Sequence, residues 1–406
     1  MRNWEFSPVD LSTWRDKING ELNNKQGGLS YYDEIEGFEI SIAEKNYQEK
    51  YHSEEIEYGN ISTKNAVSID VTNEKEANEL ALYCLNYGAD ALFFNAKKPI
   101  IDWSIVLKNI ELIYIQSWFL LESTEQEKSL NSVLDRAALE HATVVVMSEN
   151  NQSMVFPGFE MQQIGSPVFI ELSYLLYSLN NYIIDSERSK IEEDSLIFTC
   201  GMSGNYFMDV AKIRALKFLI TQLLDSYAVK PKKIEFHAHS GWTNKSLEDV
   251  DTNLLRQTTE IMAAYAGNVD AIFNNPSTKL STNNTELKDW RLSLNVINLL
   301  KEESYFDRVK NPLDGSHVFG QLVDGLIDKS WAFFTAHQEK NEFDFLELTK
   351  NEISSAREIK IRKFISNEIT KIGINAFKLN QTMNDHFWGK IPSFLGFPYL
   401  IFEKES

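Results

Sequence analysis

The stretch SLIFTCGMSGNYFMDVAKIRALKFLITQLLDSYAVKPKKIEFHAH (195–239) decides the fold of this chain. It begins with an almost continuous apolar run at 195–201 and ends with a second run at 233–239. Between them, apolar residues recur every three or four positions from Tyr206 to Tyr227, which is the spacing of an amphipathic helix. Such apolar runs are typical of parallel strands covered on both faces, so the stretch predicts a β/α/β unit.

Strand candidates of the same character lie on both sides of this unit, separated by helical stretches. They are AVSIDV (66–71), ADALFF (89–94), IELIYIQ (110–116), ATVVVMS (142–148) and VDAIFNN (269–275). About seven β/α units in series, joined by right-handed crossovers, close most naturally into a barrel. We therefore predict an α/β fold, a (β/α)₈ TIM barrel, with a doubly wound open sheet as the alternative.

The pattern divides the chain into three predicted parts: an N-terminal arm (1–60), the barrel (61–345) and a C-terminal helical segment (346–406). Helical periodicity at 288–303, 318–337 and 351–372 supports the helical end. The arm is polar and irregular, yet it is rich in aromatic residues, which we expect to pack against a partner because they are enriched at buried interface centres. They include Trp4, Phe6, Trp14, Tyr31, Tyr32, Phe38, Tyr47 and Tyr51.

Composition excludes several classes of function. The net charge of −19 repels nucleic acid phosphates, so no nucleic acid partner is expected. Only two cysteines, Cys84 and Cys200, argue against a disulfide framework or a thiolate zinc site, and we expect no metal. No secretory leader or apolar run long enough to span a bilayer is evident, which predicts a cytoplasmic protein with no membrane partner.

Four longer motifs, in order along the chain, resemble those of a known enzyme family. They are GMSGNYFMDVAKIRALKFL (201–219), HAHSGW (237–242), EIMAAYAGNVDAIFNNP (260–276) and NPLDGSHVFGQLVDGLIDKSW (311–331). The first is similar to the motif G-x-x-x-N-Y-F-M-x-I-A-K-x-R-A of the methylmalonyl-CoA mutase family. Weaker similarity extends to GLSYYDEIEGFEIS (28–41) and IGINAF (372–377).

The resemblance implies a substrate-binding barrel that threads an acyl-CoA along its axis. In such mutases a separate flavodoxin-like domain presses adenosylcobalamin onto the C-terminal face of the barrel. The reaction is a radical rearrangement of a carbon skeleton, the interconversion of methylmalonyl-CoA and succinyl-CoA in propionate metabolism. The cofactor carries the difficult step, and the protein positions and shelters it.

The sequence departs from the catalytic members of the family at GFEMQQIGS (158–166). Catalytic barrels carry G-Y-H-M-Q-E-A-G-A, in which the tyrosine shields the radical and the histidine donates to the migrating carbonyl. Phe159 and Glu160 stand at these two places. An ionised glutamate cannot donate a hydrogen bond, and it could do so only if burial raised its pKa enough to keep it neutral.

Other family features are also missing. The R-G-x-Y-x-T-M-Y arm has no match in 42–71, which lacks arginine, and no carboxylate clamp is found in 110–147, where Arg136 is the only arginine. The motif at Asn384–Gly389 imitates the cobalamin motif D-x-H-x-x-G with Asn in place of Asp. Too few residues follow it here to build a cobalamin-binding domain, so we expect none.

Four residues are candidates for ligand binding. Ser203 and Asn205 precede a predicted helix, where exposed N–H groups could accept an anion, although N-capping is the alternative interpretation. His237 and His239 lie at the end of a strand, where barrels place functional groups. We expect these two histidines to face opposite sides of the strand, so that at most one points into the barrel.

We therefore expect the non-catalytic small subunit of an adenosylcobalamin-dependent methylmalonyl-CoA mutase, an isomerase. Its partner would be the large (alpha) subunit in a heterodimer, and the cofactor would be bound through that subunit and not by this chain alone. We expect no catalytic residues, because Phe159 and Glu160 are degenerate. Two alternatives stay open: a substrate-binding component with a separately encoded cobalamin subunit, and a barrel that binds acyl-CoA without chemistry.

Overall fold

The structure is a computed structural model of the 406-residue chain. It describes residues 10–21, 30–41, 47–51, 63–134, 144–147, 155–246, 249–280, 285–377 and 392–402. Trp4, Phe6, Arg136 and the motif at 384–389 lie outside the described residues.

The core of the fold is a curled sheet of eight parallel strands. A hairpin precedes it, formed by β1 (Ser30–Asp33) and β2 (Phe38–Ser41). The sheet contains β3 (Lys64–Val71), β4 (Ala91–Ala96), β5 (Gln116–Leu120), β6 (Val144–Met147), β7 (Val155–Phe156), β8 (Ser195–Met202), β9 (Lys233–Ser240) and β10 (Ala271–Phe273). Its order is β6-β5-β4-β3-β10-β9-β8-β7. The last strand therefore pairs with the first, which confirms the TIM-barrel class, and within the described residues β6 and β7 form the two free edges.

Helices surround the sheet. They are α1 (Leu11–Glu21), α2 (Glu74–Asn86), α3 (Trp103–Val106), α4 (Thr124–Val133), α5 (Gly158–Gln163), α6 (Val168–Asp185), α7 (Arg188–Glu193), α8 (Tyr206–Ser226), α9 (Val250–Ala266), α10 (Leu287–Asn298), α11 (His317–His337) and α12 (Glu342–Ile365). A short hairpin, β11 (Ser393–Phe394) and β12 (Phe397–Pro398), follows. None of these helices combines the length and the apolar character needed to cross a lipid bilayer.

Three sequence-based predictions differ from the structure. The strand predicted at 110–116 is wrong, because residues 112–114 form a 3₁₀ turn and the strand starts at Gln116. The helix predicted at 351–372 belongs to α12, which ends at Ile365 and crosses the predicted domain boundary between 345 and 346. The arm contains α1 and the β1–β2 hairpin, so it is more regular than its polar sequence suggested.

The eight residues of β8 are all buried, as expected for a parallel strand covered on both faces. Alternate side chains point to the helices, and Leu196, Phe198 and Cys200 join the large core built with α6, α8, α9 and α11. Ile197 faces the other way and packs in a separate cluster inside the barrel. The side chains of β8 therefore contribute alternately to the core under the helices and to the barrel interior.

A carboxylate from the N-terminal hairpin caps a helix far along the chain. Glu36 is buried and accepts hydrogen bonds from the N–H groups of Val168 (2.9 Å) and Phe169 (3.1 Å), the first residues of α6. The helix has no side-chain cap of its own at Pro167. Burial raises the pKa of Glu36, and the two N–H donors oppose this rise. Glu36 thus satisfies donors that every helix start leaves unpaired.

Two other parts of the described arm, β2 and residues 47–51, pack on α11 or the core beside it. Ile40 joins the large core, and Phe38 and Tyr51 pack against it. Lys50 N–H and the Tyr47 hydroxyl donate to the carboxylate of Asp324. The expectation that the arm packs against a partner therefore does not extend to these residues. Of the other aromatic residues named above, Trp14, Tyr31 and Tyr32 are exposed.

Replacing Glu36 should loosen the barrel. We expect Glu36→Ala to lower the free energy of unfolding by about 1–3 kcal/mol, because two helix N–H groups lose their acceptor. Urea unfolding of the full chain measures this change. Glu39→Ala, which removes an exposed carboxylate from the same hairpin, is the matched control. Equal stability of the two variants would show that the cap contributes nothing.

Candidate functional site

Both predicted histidines point into the barrel. His237 and His239 stand two residues apart on β9, and residues at this spacing share one face of a strand. The residues that alternate with them, Phe236 and Ala238, belong to the core on the helix side. The prediction that the histidines face opposite sides is therefore wrong, because the period of a strand is two residues.

The interior of the barrel is filled by contacting rings. Trp118 meets His237 with ring centroids 4.6 Å apart, and both rings meet Phe273, at 5.9 and 5.4 Å. His239 stacks on Phe273 at 4.4 Å with an interplanar angle of 3°. Phe159 lies on His239 at 5.2 Å. We call these five residues, Trp118, His237, Phe273, His239 and Phe159, the axial column.

A buried carboxylate supports the axial column on the same face of β9. Glu235 Oε2 accepts a hydrogen bond from Trp118 Nε1 at 2.9 Å and lies 3.8 Å from His237 Nε2. Glu235 Oε1 lies 2.6 Å from Lys233 Nζ. Burial raises the pKa of Glu235, but His237 and Lys233 outweigh burial and lower it to about 2. The carboxylate is therefore ionised and held by the barrel's own donors.

Phe159 is placed by the start of α5. Its N–H donates to Thr199 Oγ1 at 3.1 Å, and that hydroxyl donates to Phe156 O at 3.1 Å. A Cβ on Gly158 would stand 2.3 Å from Thr199 O, so only glycine allows α5 to approach β8 this closely. The apolar ring thus enters the column from a fixed backbone position.

Glu160 follows in α5 and has no hydrogen-bond partner for its buried Oε2 among the described residues. Burial raises the pKa of Glu160. This is the direction in which a glutamate would have to shift to donate a hydrogen bond. Burial, with a smaller effect of the Glu160 carboxylate, raises the pKa of Tyr174 and raises that of Tyr399 to about 12.

The segment after β11 covers α5. Leu400 N–H donates to Gln163 O at 2.7 Å, and Arg357 Nη1 donates to Ile164 O and Pro398 O at 2.5 and 3.0 Å. The ring of Tyr399 stands edge-on to Phe159 at 6.4 Å and to Trp242 at 5.9 Å. The chain itself therefore occupies the space over Phe159 at this end of the barrel.

Comparison with known proteins identifies the family. A family model described as methylmalonyl-CoA mutase matches residues 127–389. The chain belongs to the methylmalonyl-CoA mutase family. It is 27% identical to the methylmalonyl-CoA mutase small subunit of Porphyromonas gingivalis, over 84% of this chain and 64% of that protein.

Large subunits of the same family share a shorter region. The chain is 31% identical to the methylmalonyl-CoA mutase large subunit of Propionibacterium freudenreichii subsp. shermanii, over 44% of this chain and 25% of that protein. Identity to the large subunit from Porphyromonas gingivalis is 27%, over 46% and 27% of the two chains. The chain spans just under two thirds of the length of the Porphyromonas gingivalis small subunit.

The other two predicted ligand residues of the mutase-family chain lie outside the axial column. Ser203 N–H and Oγ donate to the carboxylate of Asp209 at 2.8–3.1 Å, and Gly204 N–H donates to it at 3.0 Å. An internal carboxylate therefore uses the N–H groups that an external anion would need. Asn205 is the N-cap residue of α8, but its side chain makes no capping bond.

Three further residues, which were not predicted from the sequence, complete the interior of this mutase-family barrel: Trp118, Phe273 and Glu235. The signal was present for two of them, because Glu235 and Phe273 stand at two-residue spacing from a neighbouring inward position. Trp118 was not predicted to enter the barrel because the strand predicted at 110–116 ends before it, whereas β5 contains it. Among the described residues, no group of three His, Cys, Asp or Glu side chains is arranged to hold a metal.

Stability should fall in acid through His239. Burial, with a smaller effect of His237, lowers its pKa to about 3, whereas the unfolded imidazole titrates near its usual value of about 6.5. The unfolded chain therefore binds the extra proton first, so the contribution of His239 is complete above about pH 6.5 and is lost as pH falls toward 3.

We expect wild type to lose about 2 kcal/mol more stability between pH 7 and pH 5 than His239→Phe does. Urea unfolding at both pH values measures the difference. His317→Phe, at an exposed position, controls for the loss of an imidazole. If His239→Phe loses as much stability as wild type over this interval, the imidazole is not kept neutral by its burial.

Proposed function

We propose that this chain is the non-catalytic small subunit of an adenosylcobalamin-dependent methylmalonyl-CoA mutase. In this proposal it forms a heterodimer with a catalytic large subunit, which carries out the interconversion of methylmalonyl-CoA and succinyl-CoA. The axial column is the observation that carries the proposal, because a barrel that threads an acyl-CoA along its axis needs that space free.

Opening the axial column would cost a large amount of free energy. Trp118, His237 and Phe273 are almost completely buried and contact one another. Displacing a buried aromatic ring from a packed interior costs about 3–5 kcal/mol, as large-to-small substitutions show. A ligand would have to displace several such rings and break the bond from Trp118 to Glu235. This packing supports a barrel that serves as a structural element.

The end of the column lacks the groups that the family resemblance assigns to catalysis. Phe159 has no hydroxyl, and its ring contacts that of His239 at an interplanar angle of 40°. Glu160 offers a carboxyl group in place of an imidazole, and its buried Oε2 has no hydrogen-bond partner among the described residues. Neither residue reproduces the tyrosine and histidine pair, which supports the assignment of no catalytic residue to this chain.

The same end of the barrel does not fit adenosylcobalamin. Residues 397–400 are bonded to Gln163 and Arg357 and pack over Phe159, so a corrin ring would have to displace them. When bound to the large subunit, the cofactor supplies the carbon radical chemistry of the reaction. In the proposed complex, the residues of this chain take no part in that step.

Exposed apolar side chains on β1 and α12 offer contacts for the large subunit. Tyr31 and Tyr32 on β1 are 53% and 61% exposed, and Ile365 at the end of α12 is 73% exposed. The carboxylate of Glu34 joins these two elements, at 2.6 Å from Arg362 and 3.1 Å from Lys363. Aromatic residues at exposed positions are typical of interface centres.

The partnership can be tested by co-expression with a catalytic large subunit. We expect the two chains to co-purify at one to one. Tyr31→Ser combined with Tyr32→Ser should weaken the pair about tenfold or more, because two aromatic contacts are lost. Tyr114→Ser, at a residue that is 79% exposed elsewhere, is the matched control. Failure of any large subunit to bind would refute the heterodimer.

Activity is tested with the chain alone. Supplied with methylmalonyl-CoA and adenosylcobalamin, it should form no succinyl-CoA, and Phe159→Tyr combined with Glu160→His should remain inactive because the axis stays filled. A complete holoenzyme is the positive control, and liquid chromatography measures the products. Turnover by the wild-type chain, or calorimetric binding of an acyl-CoA, would favour instead a substrate-binding component or an acyl-CoA-binding barrel.

A further inference from the structure

A cavity of about 320 Å³ lies outside the barrel axis, where the N-terminal hairpin, the starts of α6 and α8, and the C-terminal segment meet. Its wall includes both Ser203 and Asn205, together with three lysines, Lys212, Lys360 and Lys371. Four carboxylates also line it, those of Asp33, Glu36, Glu171 and Asp209. The cavity is thus strongly charged, and the pairing of these groups decides what it can bind.

Each of the four carboxylates is bonded to at least one donor of the chain, and the second oxygen of Glu171, Oε1, has no hydrogen-bond partner among the described residues. Asp33 accepts from the N–H groups of Ile35 and Glu36 at 2.9 and 3.0 Å, and Glu36 caps α6. Glu171 lies 3.2 Å from Lys212 Nζ, which also donates to Gly201 O. Asp209 accepts from Ser203 and Gly204. These four carboxylates therefore form internal hydrogen bonds or ion pairs that stabilise the fold.

Two of the lysines lack such a partner. Lys360 Nζ donates to the carbonyl oxygens of Gly165 and Ser166 at 2.9 and 3.1 Å, and it is attracted by Glu36, Glu171 and Asp33 only at longer range. Lys371 Nζ lies over the ring of Phe402, 5.4 Å from its centroid. In the part of the chain that the structure describes, neither ammonium group forms an ion pair with a carboxylate.

The surroundings of Lys371 are rich in positive charge. Burial, together with the nearby Arg256, Lys245 and Lys360, lowers its pKa to about 8. Glu260 opposes them, but this carboxylate is already bonded to Lys245 and Asn244. An enclosed ammonium group beside other cations is stabilised by an anion, which regains the charge pairing that burial removes.

The rest of the wall is apolar. Ile369, Leu400 and Phe402 stand near Lys371 in the cavity wall, and Met208 and Val168 contribute further apolar surface. Pockets that combine a few charged groups with an apolar wall bind small amphipathic molecules. A volume of about 320 Å³ lies at the lower end of the range of small-molecule pockets, so the cavity has room for a small organic molecule.

We propose that this cavity binds a small organic acid, with its carboxylate or phosphate group on Lys371 and Lys360 and its apolar body on Ile369, Leu400 and Phe402. The site is separate from the axial column and does not depend on the proposed subunit role. It assigns a ligand to a chain whose barrel interior is filled by its own rings.

Calorimetry on the full chain tests the proposal with four probes: acetate, butyrate, inorganic phosphate and n-butanol. We expect saturable binding of butyrate, weaker binding of acetate because it lacks an apolar body, and none of uncharged n-butanol. Tighter binding of phosphate than of butyrate would identify a phosphate ester as the ligand class. If neither butyrate nor phosphate binds saturably, the proposal is wrong.

Substitutions locate the site. Lys371→Gln should weaken butyrate binding about tenfold or more, Lys371→Arg should keep it, and Lys310→Gln at an exposed position should leave it unchanged. As a measurement on wild type alone, butyrate should protect Lys371 from acetylation, detected by mass spectrometry, but not Lys310. Unaltered binding by folded Lys371→Gln, or no protection of Lys371, would overturn the assignment.

Discussion

The alternation of side chains along β8 and β9 is the constraint on which the rest of the molecule depends. Because neighbouring residues face opposite ways, Phe236 and Ala238 build the core with the helices while Glu235, His237 and His239 enter the barrel. A one-residue shift of β9 would exchange a carboxylate and two imidazoles for apolar groups. The filled interior and the helix layer are therefore consequences of one register.

The sequence predicted the fold class because five of the strands are runs of apolar residues, and a parallel sheet covered by helices requires such runs. It missed β7, which has only two residues, Val155 and Phe156, too few for any pattern to mark. It misplaced β5 because residues 110–116 are as apolar as the true strand. Local pattern cannot choose between two adjacent apolar runs when tertiary packing decides.

The candidate site was harder to predict for a physical reason. Phe159 and Glu160 could be recognised as departures from a motif, but the axial column is made by residues from β5, β9, β10 and α5 that are distant along the chain. Only the closure of the sheet brings Trp118 beside His237. The cavity at Lys371 is likewise invisible in sequence, since its charge imbalance depends on which carboxylates already hold donors.

The cap formed by Glu36 has a consequence for the order of folding. Glu36 accepts from Val168 of α6, which is 132 residues further along the chain. Two residues of α11 bind the same hairpin: Gln321 bonds to Ser41, 280 residues away, and Lys329 bonds to Glu36, 293 residues away. During synthesis the hairpin leaves the ribosome before α6 and α11, so it cannot dock until both helices have followed. The hairpin is thus made before the helices that hold it and is secured only after them.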